Sequence, residues 1–288
     1  MLFHGAPGSR LFAPPAEVPA SLGVRLITFD RPGFGASDRR EGRTVLDTAG
    51  DVAALADGLG VDRFAVLGVS AGGAHALACA VALGDRVSAV AVASMPGPLD
   101  EVPEGWDALD RRQRPAAEMA REEPARAARG VVRYTQRWLD DPTTFLGGGT
   151  ADDRALLDEA AAGPMLAADV TEALRPGAGG MADDLVALWM EWGFRIADVR
   201  AGVRLWHGAQ DTRGEPDFRY LAATLPGCRA QVWPDGGHLA VLLIERIRGR
   251  AIDMRKLIPV SAVVMTFLIL FVGATVLLDV VKPIPTTP

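Results

Sequence analysis

The chain has 288 residues, 49% apolar and 23% charged, with a formal net charge of −6. That apolar share is ample for a buried core and excludes global disorder, while an acidic balance without long like-charge runs excludes a nucleic-acid footprint. Cys79 and Cys228 form no Cys-x-x-Cys pair and stand far apart in the sequence, so both read as reduced packing residues, with no zinc site and no cofactor.

In chain order, MLFHG at 1–5 reads as a strand running into the loop HGAPGS at 4–9, and no charged-then-apolar leader directs the amino end to secretion. LITFD at 26–30 is a second strand signal, closed by the turn DRPGFGASD at 30–38. Residues 44–60 carry Val45, Leu46, Val52, Leu55 and Leu59 at helical spacing. FAVLG at 64–68 predicts a strand, AGGAHALACAVAL at 71–83 a small-residue helix suited to close packing, and VSAVAVAS at 87–94 another strand. Strands alternating with helices predict an α/β fold, a mostly parallel sheet with helices on both faces.

After Met95-Pro96-Gly97-Pro98 the chain turns rich in Ala, Arg, Glu and Asp, with breakers from Pro103 to the Gly177–Gly180 cluster. This predicts helices, and strand signals resume only with VRLWHG at 203–208 and RAQVW at 229–233. The expected organisation is an α/β core in two segments, 1–96 and 201–250, with a helical cap or lid at 97–200. From Leu257 to Leu278 there are 22 residues without a charge, apolar all round, long enough as a helix (roughly 33 Å) for a bilayer core. This predicts a transmembrane helix at 257–278 and a short tail at 279–288. Arg246, Arg248, Arg250, Arg255 and Lys256 precede it and only Lys282 follows, which leaves the core in the cytoplasm. Met254-Arg255-Lys256 and the apolar run also read as the start of a separate protein; without that segment the chain is a soluble cytoplasmic one.

The chemistry concentrates at Gly68-Val69-Ser70-Ala71-Gly72, a G-x-S-x-G sequence between a predicted strand and a predicted helix. Small flanking residues suit a sharp, strained turn that lifts the Ser70 hydroxyl above the sheet and aims the Ala71 N–H at a developing negative oxygen. Serine needs a base, and the base an orienting acid. Of four histidines, His238 in PDGGHLAV sits in a free loop, His75 lies on the helix after the turn, and His4 and His207 belong to strand-end His-Gly pairs. Asp211 follows a strand and precedes His238 by 27 positions; Glu215 and Asp217 are its rivals.

Together HGAPGS at 4–9, DRPGFGASD at 30–38, GVSAGG at 68–73, HGAQD at 207–211 and GGHL at 236–239 make the chain resemble the α/β-hydrolase family, the cap-bearing kind with a His-Gly-x-Pro-Gly first loop. The resemblance implies Ser70 as nucleophile, His238 as general base and acid, Asp211 as its orienting carboxylate, and the N–H groups of Ala6 and Ala71 as the oxyanion hole. It implies a small-molecule ester or amide substrate cleaved through an acyl-enzyme, since alkyl-ester chemistry in this family uses an aspartate where Ser70 stands. The DRPGFGASD loop, with Asp30, is expected to support the site rather than react. Trp106, Trp138, Trp189, Trp192, Phe145 and Phe194 are candidates for an apolar pocket under the lid. A proline-iminopeptidase-like aminopeptidase is one alternative, with Glu122, Glu123 and Glu191 available for a substrate amine. A non-catalytic or truncated family member is another, because the family places two further strands before the His-Gly loop.

Overall fold

A computed structural model describes residues 1–239, apart from 149, 159–161 and 235. Among the described residues five parallel strands form one sheet in sequence order: β1 (Leu2–Phe3), β2 (Phe64–Val69), β3 (Val87–Ala93), β4 (Val203–Gly208) and β5 (Arg229–Trp233). β3 is almost wholly buried, as expected for a central parallel strand covered on both faces, whereas Arg229 to Val232 of the outermost β5 are exposed. The run 26–30 forms no strand: only Thr28 makes a parallel bridge to Leu2, because two residues of β1 offer too short a ladder to extend the pairing.

Helices α1 (Glu17–Ser21) and α2 (Thr48–Gly58) lie between β1 and β2, α3 (Ala71–Ala82) joins β2 to β3, and α10 (Glu215–Thr224) joins β4 to β5. Between β3 and β4 come α4 (Gly105–Ala108), α5 (Gln113–Glu122), α6 (Pro124–Thr135), α7 (Ala151–Leu157), α8 (Ala162–Leu174) and α9 (Gly179–Trp189). One core unites Val52 and Ala56 of α2, Leu77 of α3 and Leu221 of α10 with Val66, Val92 and Leu205 of the sheet. Val18 of α1 packs with Ala91, Ala93, Trp206 and Trp233 in a second cluster. The first core also takes in Ala187, Leu188, Trp192, Ile196 and Val199, so the end of the helical segment packs with the sheet before β4 begins.

The apolar stretch 257–278 lies outside the described residues, as does the run 241–256 before it. Among the described residues no helix is long and apolar enough to cross a membrane.

Candidate active site

β2 ends at Val69 and α3 starts at Ala71, so Ser70 alone makes the turn, at φ 53° and ψ −129°. That backbone region is costly for a residue with a side chain and persists only where the surroundings impose it. The surroundings here are glycines. A Cβ at Gly68 would sit 2.6 Å from the Gly73 Cα, and one at Gly72 would sit 2.7 Å from the Phe3 carbonyl carbon, so strand, turn and first loop fit only because both positions are bare. The Ser70 N–H donates to the Ala93 carbonyl at 2.9 Å, fixing the turn to the end of β3.

The structure brings Ser70, His238 and Asp211 together although they lie on three separate loops. His238 Nε2 is 2.9 Å from Ser70 Oγ, and His238 Nδ1 is 2.6 Å from Asp211 Oδ2. With Nδ1–H donating to the carboxylate, Nε2 is left as the acceptor for the serine proton. Burial works against a charged His238, but the hydrogen bond and charge of Asp211, with the charge of Asp153, outweigh it and raise the imidazole pKa above 6.5. Burial pushes Asp211 upward, yet hydrogen bonding to His238 and the neighbouring imidazoles holds its carboxyl below the usual value. The rivals stand apart: Glu215 is exposed beside Arg219, and Asp217 is pushed up to about 7 by burial near Gly97.

The other histidines do not reach the serine. His75 is buried in α3, with Nδ1 2.7 Å from Thr48 Oγ1 and Nε2 3.4 Å from Asp184 Oδ1. His207 stacks on Phe218 at 5.0 Å. His4 is buried, its Nδ1 donating to the Gly5 carbonyl at 2.7 Å and its Nε2 accepting the Arg31 N–H at 3.2 Å.

The first loop lies against the turn, since a Cβ at Gly5 would come within 3.5 Å of Ser70 Cβ. Arg31 bonds both the His4 and the Gly5 carbonyls, so its guanidinium is hydrogen-bonded to the same peptide unit that carries the Ala6 N–H. Arg31 is fully buried, and Asp184 of α9 pairs with it and with Arg43. Burial opposes ionisation of Asp184, but the two arginines hold its carboxyl well below the usual range. Asp169 of α8 accepts the Ser9 N–H at 2.7 Å and the Ser9 hydroxyl at 2.8 Å. Asp30 accepts the Arg10 N–H at 2.6 Å and the Ala36 N–H at 3.0 Å, which ties the first loop to the turn at 30–38.

The six aromatics offered as pocket candidates divide. Trp138 and Phe145 meet edge to face at 5.0 Å and pack in a cluster with Phe34, Met181, Leu185 and Ala6, beside the first loop. Trp192 and Phe194 belong to the sheet's own core, and Trp189 and Trp106 pack among α5, α6 and α9. Glu122, Glu123 and Glu191 are exposed. The residues that sequence reasoning missed are Arg31, Asp153, Asp169 and Asp184, whose partners are far away in sequence.

Residues 1–246 match the family model described as the alpha/beta hydrolase family. The Mycobacterium tuberculosis protein BpoC, whose name assigns it to the non-haem bromoperoxidases, is 39% identical over 88 residues, 30% of this chain and 34% of its own length. The match thus spans about a third of that curated relative. Over 86% of this chain and 87% of its own, the BpoC structure superposes with a TM-score of 0.59 at 24% identity. The enol-lactonase of Burkholderia xenovorans LB400 gives 0.56 at 23%, covering 86% of each chain, and the esterase EaEST of Exiguobacterium antarcticum 0.59 at 18%, covering 86% and 87%. At these identities the likeness is one of fold.

Proposed function

Because the chain belongs to the alpha/beta hydrolase family, we propose that it is a serine hydrolase that cleaves small carboxylic esters through an acyl-enzyme on Ser70. The observation that carries this reading is the unbroken hydrogen-bonded line from Asp211 through His238 to Ser70. Ser70 Oγ attacks the ester carbonyl as His238 Nε2 takes its proton, and Asp211 stabilises the imidazolium. The tetrahedral oxyanion is held by the N–H groups of Ala6 and Ala71. Arg31, bonded to the Gly5 carbonyl, polarises the Gly5–Ala6 peptide toward donation. The imidazolium then protonates the leaving alcohol, and water, activated by the same nitrogen, releases the acid.

The helices of 97–200 form the lid in this reading. Phe34, Trp138, Phe145 and Leu185, clustered with Ala6, supply an apolar wall for the acyl group. The enol-lactonase and esterase folds among the structural neighbours agree with an ester-type bond. The aminopeptidase alternative lacks support, since its three candidate glutamates are exposed.

The test is hydrolysis of p-nitrophenyl butyrate together with labelling by a fluorophosphonate. The chain is expected to turn over the ester and to take the label on Ser70, and Ser70→Ala to lose both. Hydrolysis retained by Ser70→Ala would end this reading.

A further inference from the structure

We propose that Asp153, which lies in the helical segment far from every motif, is a positioning residue for the general base, clamping the backbone of the His238 loop onto α7. The inference rests on the reading of Ser70, His238 and Asp211 as the hydrolytic triad.

Thr150 and Asp153 form a reciprocal cap at the start of α7: the Thr150 N–H donates to Asp153 Oδ2 at 3.0 Å, and the Asp153 N–H donates to Thr150 Oγ1 at 3.1 Å. Such a carboxylate ordinarily serves its own helix and faces water. Asp153 is instead 2% exposed, and its two oxygens also accept the His238 N–H at 3.1 Å and the Leu239 N–H at 2.8 Å. Gly237 lets the loop seat there, since a Cβ on it would lie 2.5 Å from Asp153 Oδ1. A Cβ on Gly208 would likewise meet the Gly236 carbonyl carbon at 2.5 Å, so the end of β4 presses on the loop from the other side.

Residues 236–239 belong to no helix or strand. Their backbone is tied to β5 by the Gly236 N–H to the Trp233 carbonyl at 3.2 Å and to the turn after β4 by the Gln210 N–H to the Gly236 carbonyl at 2.8 Å. For the His238 and Leu239 amides, Asp153 is the acceptor among the described residues. An imidazole that must bridge Ser70 and Asp211 loses rate steeply if its backbone shifts by an ångström.

Charge adds to placement. The groups facing His238 are Asp211 and Arg213 from the turn after β4, His207 at the end of β4, Ser70 from the turn, and Asp153 from α7. Arg213 opposes the imidazolium, and Asp153 assists Asp211 in favouring it.

The experiment compares the pH dependence of p-nitrophenyl butyrate hydrolysis by the full chain and by Asp153→Asn, Gly237→Ala and Ser70→Ala. Asp153→Asn keeps the volume and removes the charge. It is expected to lose roughly tenfold or more in kcat, with KM within about twofold, and to move the acid limb of kcat/KM to lower pH. An unchanged kcat and acid limb would overturn the proposal. So would a fall in kcat with an unmoved limb, since a purely structural contact would do that. If Asp153→Asn fails to fold by circular dichroism, Gly237→Ala decides: it keeps the carboxylate and wedges the contact, and kcat within about twofold of the parent overturns the clamp. Activity in Ser70→Ala is a separate outcome that removes the triad reading, and this inference with it.

Discussion

Replacing Asp211 by asparagine changes one atom of the carboxylate and tests the orientation of the base. Asp211 Oδ2 accepts from His238 Nδ1 at 2.6 Å, which leaves Nε2 unprotonated and 2.9 Å from the Ser70 hydroxyl. The Gly214 N–H, which donates to the Asp211 main-chain carbonyl at 3.1 Å, lies beside this carboxylate and favours turning toward it the one oxygen that asparagine retains. With an amide NH₂ then facing Nδ1, the ring adopts the opposite tautomer and presents an N–H to Ser70, which cannot take the serine proton. A mis-set tautomer of this kind costs about 10⁴ in kcat, or roughly 5 kcal/mol of transition-state stabilisation. Loss of the Asp211 hydrogen bond and charge also lowers the raised His238 pKa, so the acid limb of the residual kcat/KM moves to lower pH. Initial rates on p-nitrophenyl butyrate across pH, with Ser70→Ala as the blank, measure both effects. An Asp211→Asn variant within about tenfold of the parent, beside an inactive Ser70→Ala, would refute the assignment of Asp211 as the orienting acid.

Two further predictions concern stability. Asp184→Asn leaves the fully buried Arg31 and the buried Arg43 without their counter-charge, and the expected loss is about 3–5 kcal/mol in urea unfolding; the folded remainder should lose kcat more than KM, because Arg31 no longer steadies the Gly5–Ala6 peptide. Asp169 is pushed up to about 7 by burial, against the Ser9 hydrogen bonds that favour its ionised form. Its folded pKa lies above its unfolded value of 3.8, so its contribution is full below that value and is lost as pH rises toward 7. Asp169→Asn, neutral throughout, should therefore gain a few kcal/mol on the parent over that interval, and a stability difference independent of pH would contradict the assignment.

Much of the frame was legible because it is written locally. β2 and β3 are short apolar runs rich in Val and Ala, α3 is announced by its glycines and alanines, and the G-x-S-x-G turn is read from five residues between a strand and a helix. The run 26–30 has the same strand signal as β2, yet pairing is decided by the partner, and β1 offers it two residues. The carboxylates that brace the site were illegible for a related reason. Asp153, Asp169 and Asp184 stand in a stretch rich in Ala, Arg, Glu and Asp, where an acidic residue resembles a solvated helix face. Their partners lie 85, 160 and 153 positions away, beyond any pattern a window can hold. The aromatics failed differently: Trp192 and Trp138 look alike in sequence, but one fills the sheet's core and the other packs beside the first loop.

Three carboxylates descend from the helices between β3 and β4 onto three different pieces of the proposed reactive centre: Asp153 onto the histidine loop, Asp169 onto Ser9, and Asp184 through Arg31 onto Gly5. A helical segment built this way is not an interchangeable part. Exchanging residues 97–200 for those of a relative, as one would to graft a new substrate preference, also exchanges the scaffolding of the proposed base and oxyanion loop. Such a chimaera would forfeit turnover before its selectivity could be judged, unless the three acids travel with it.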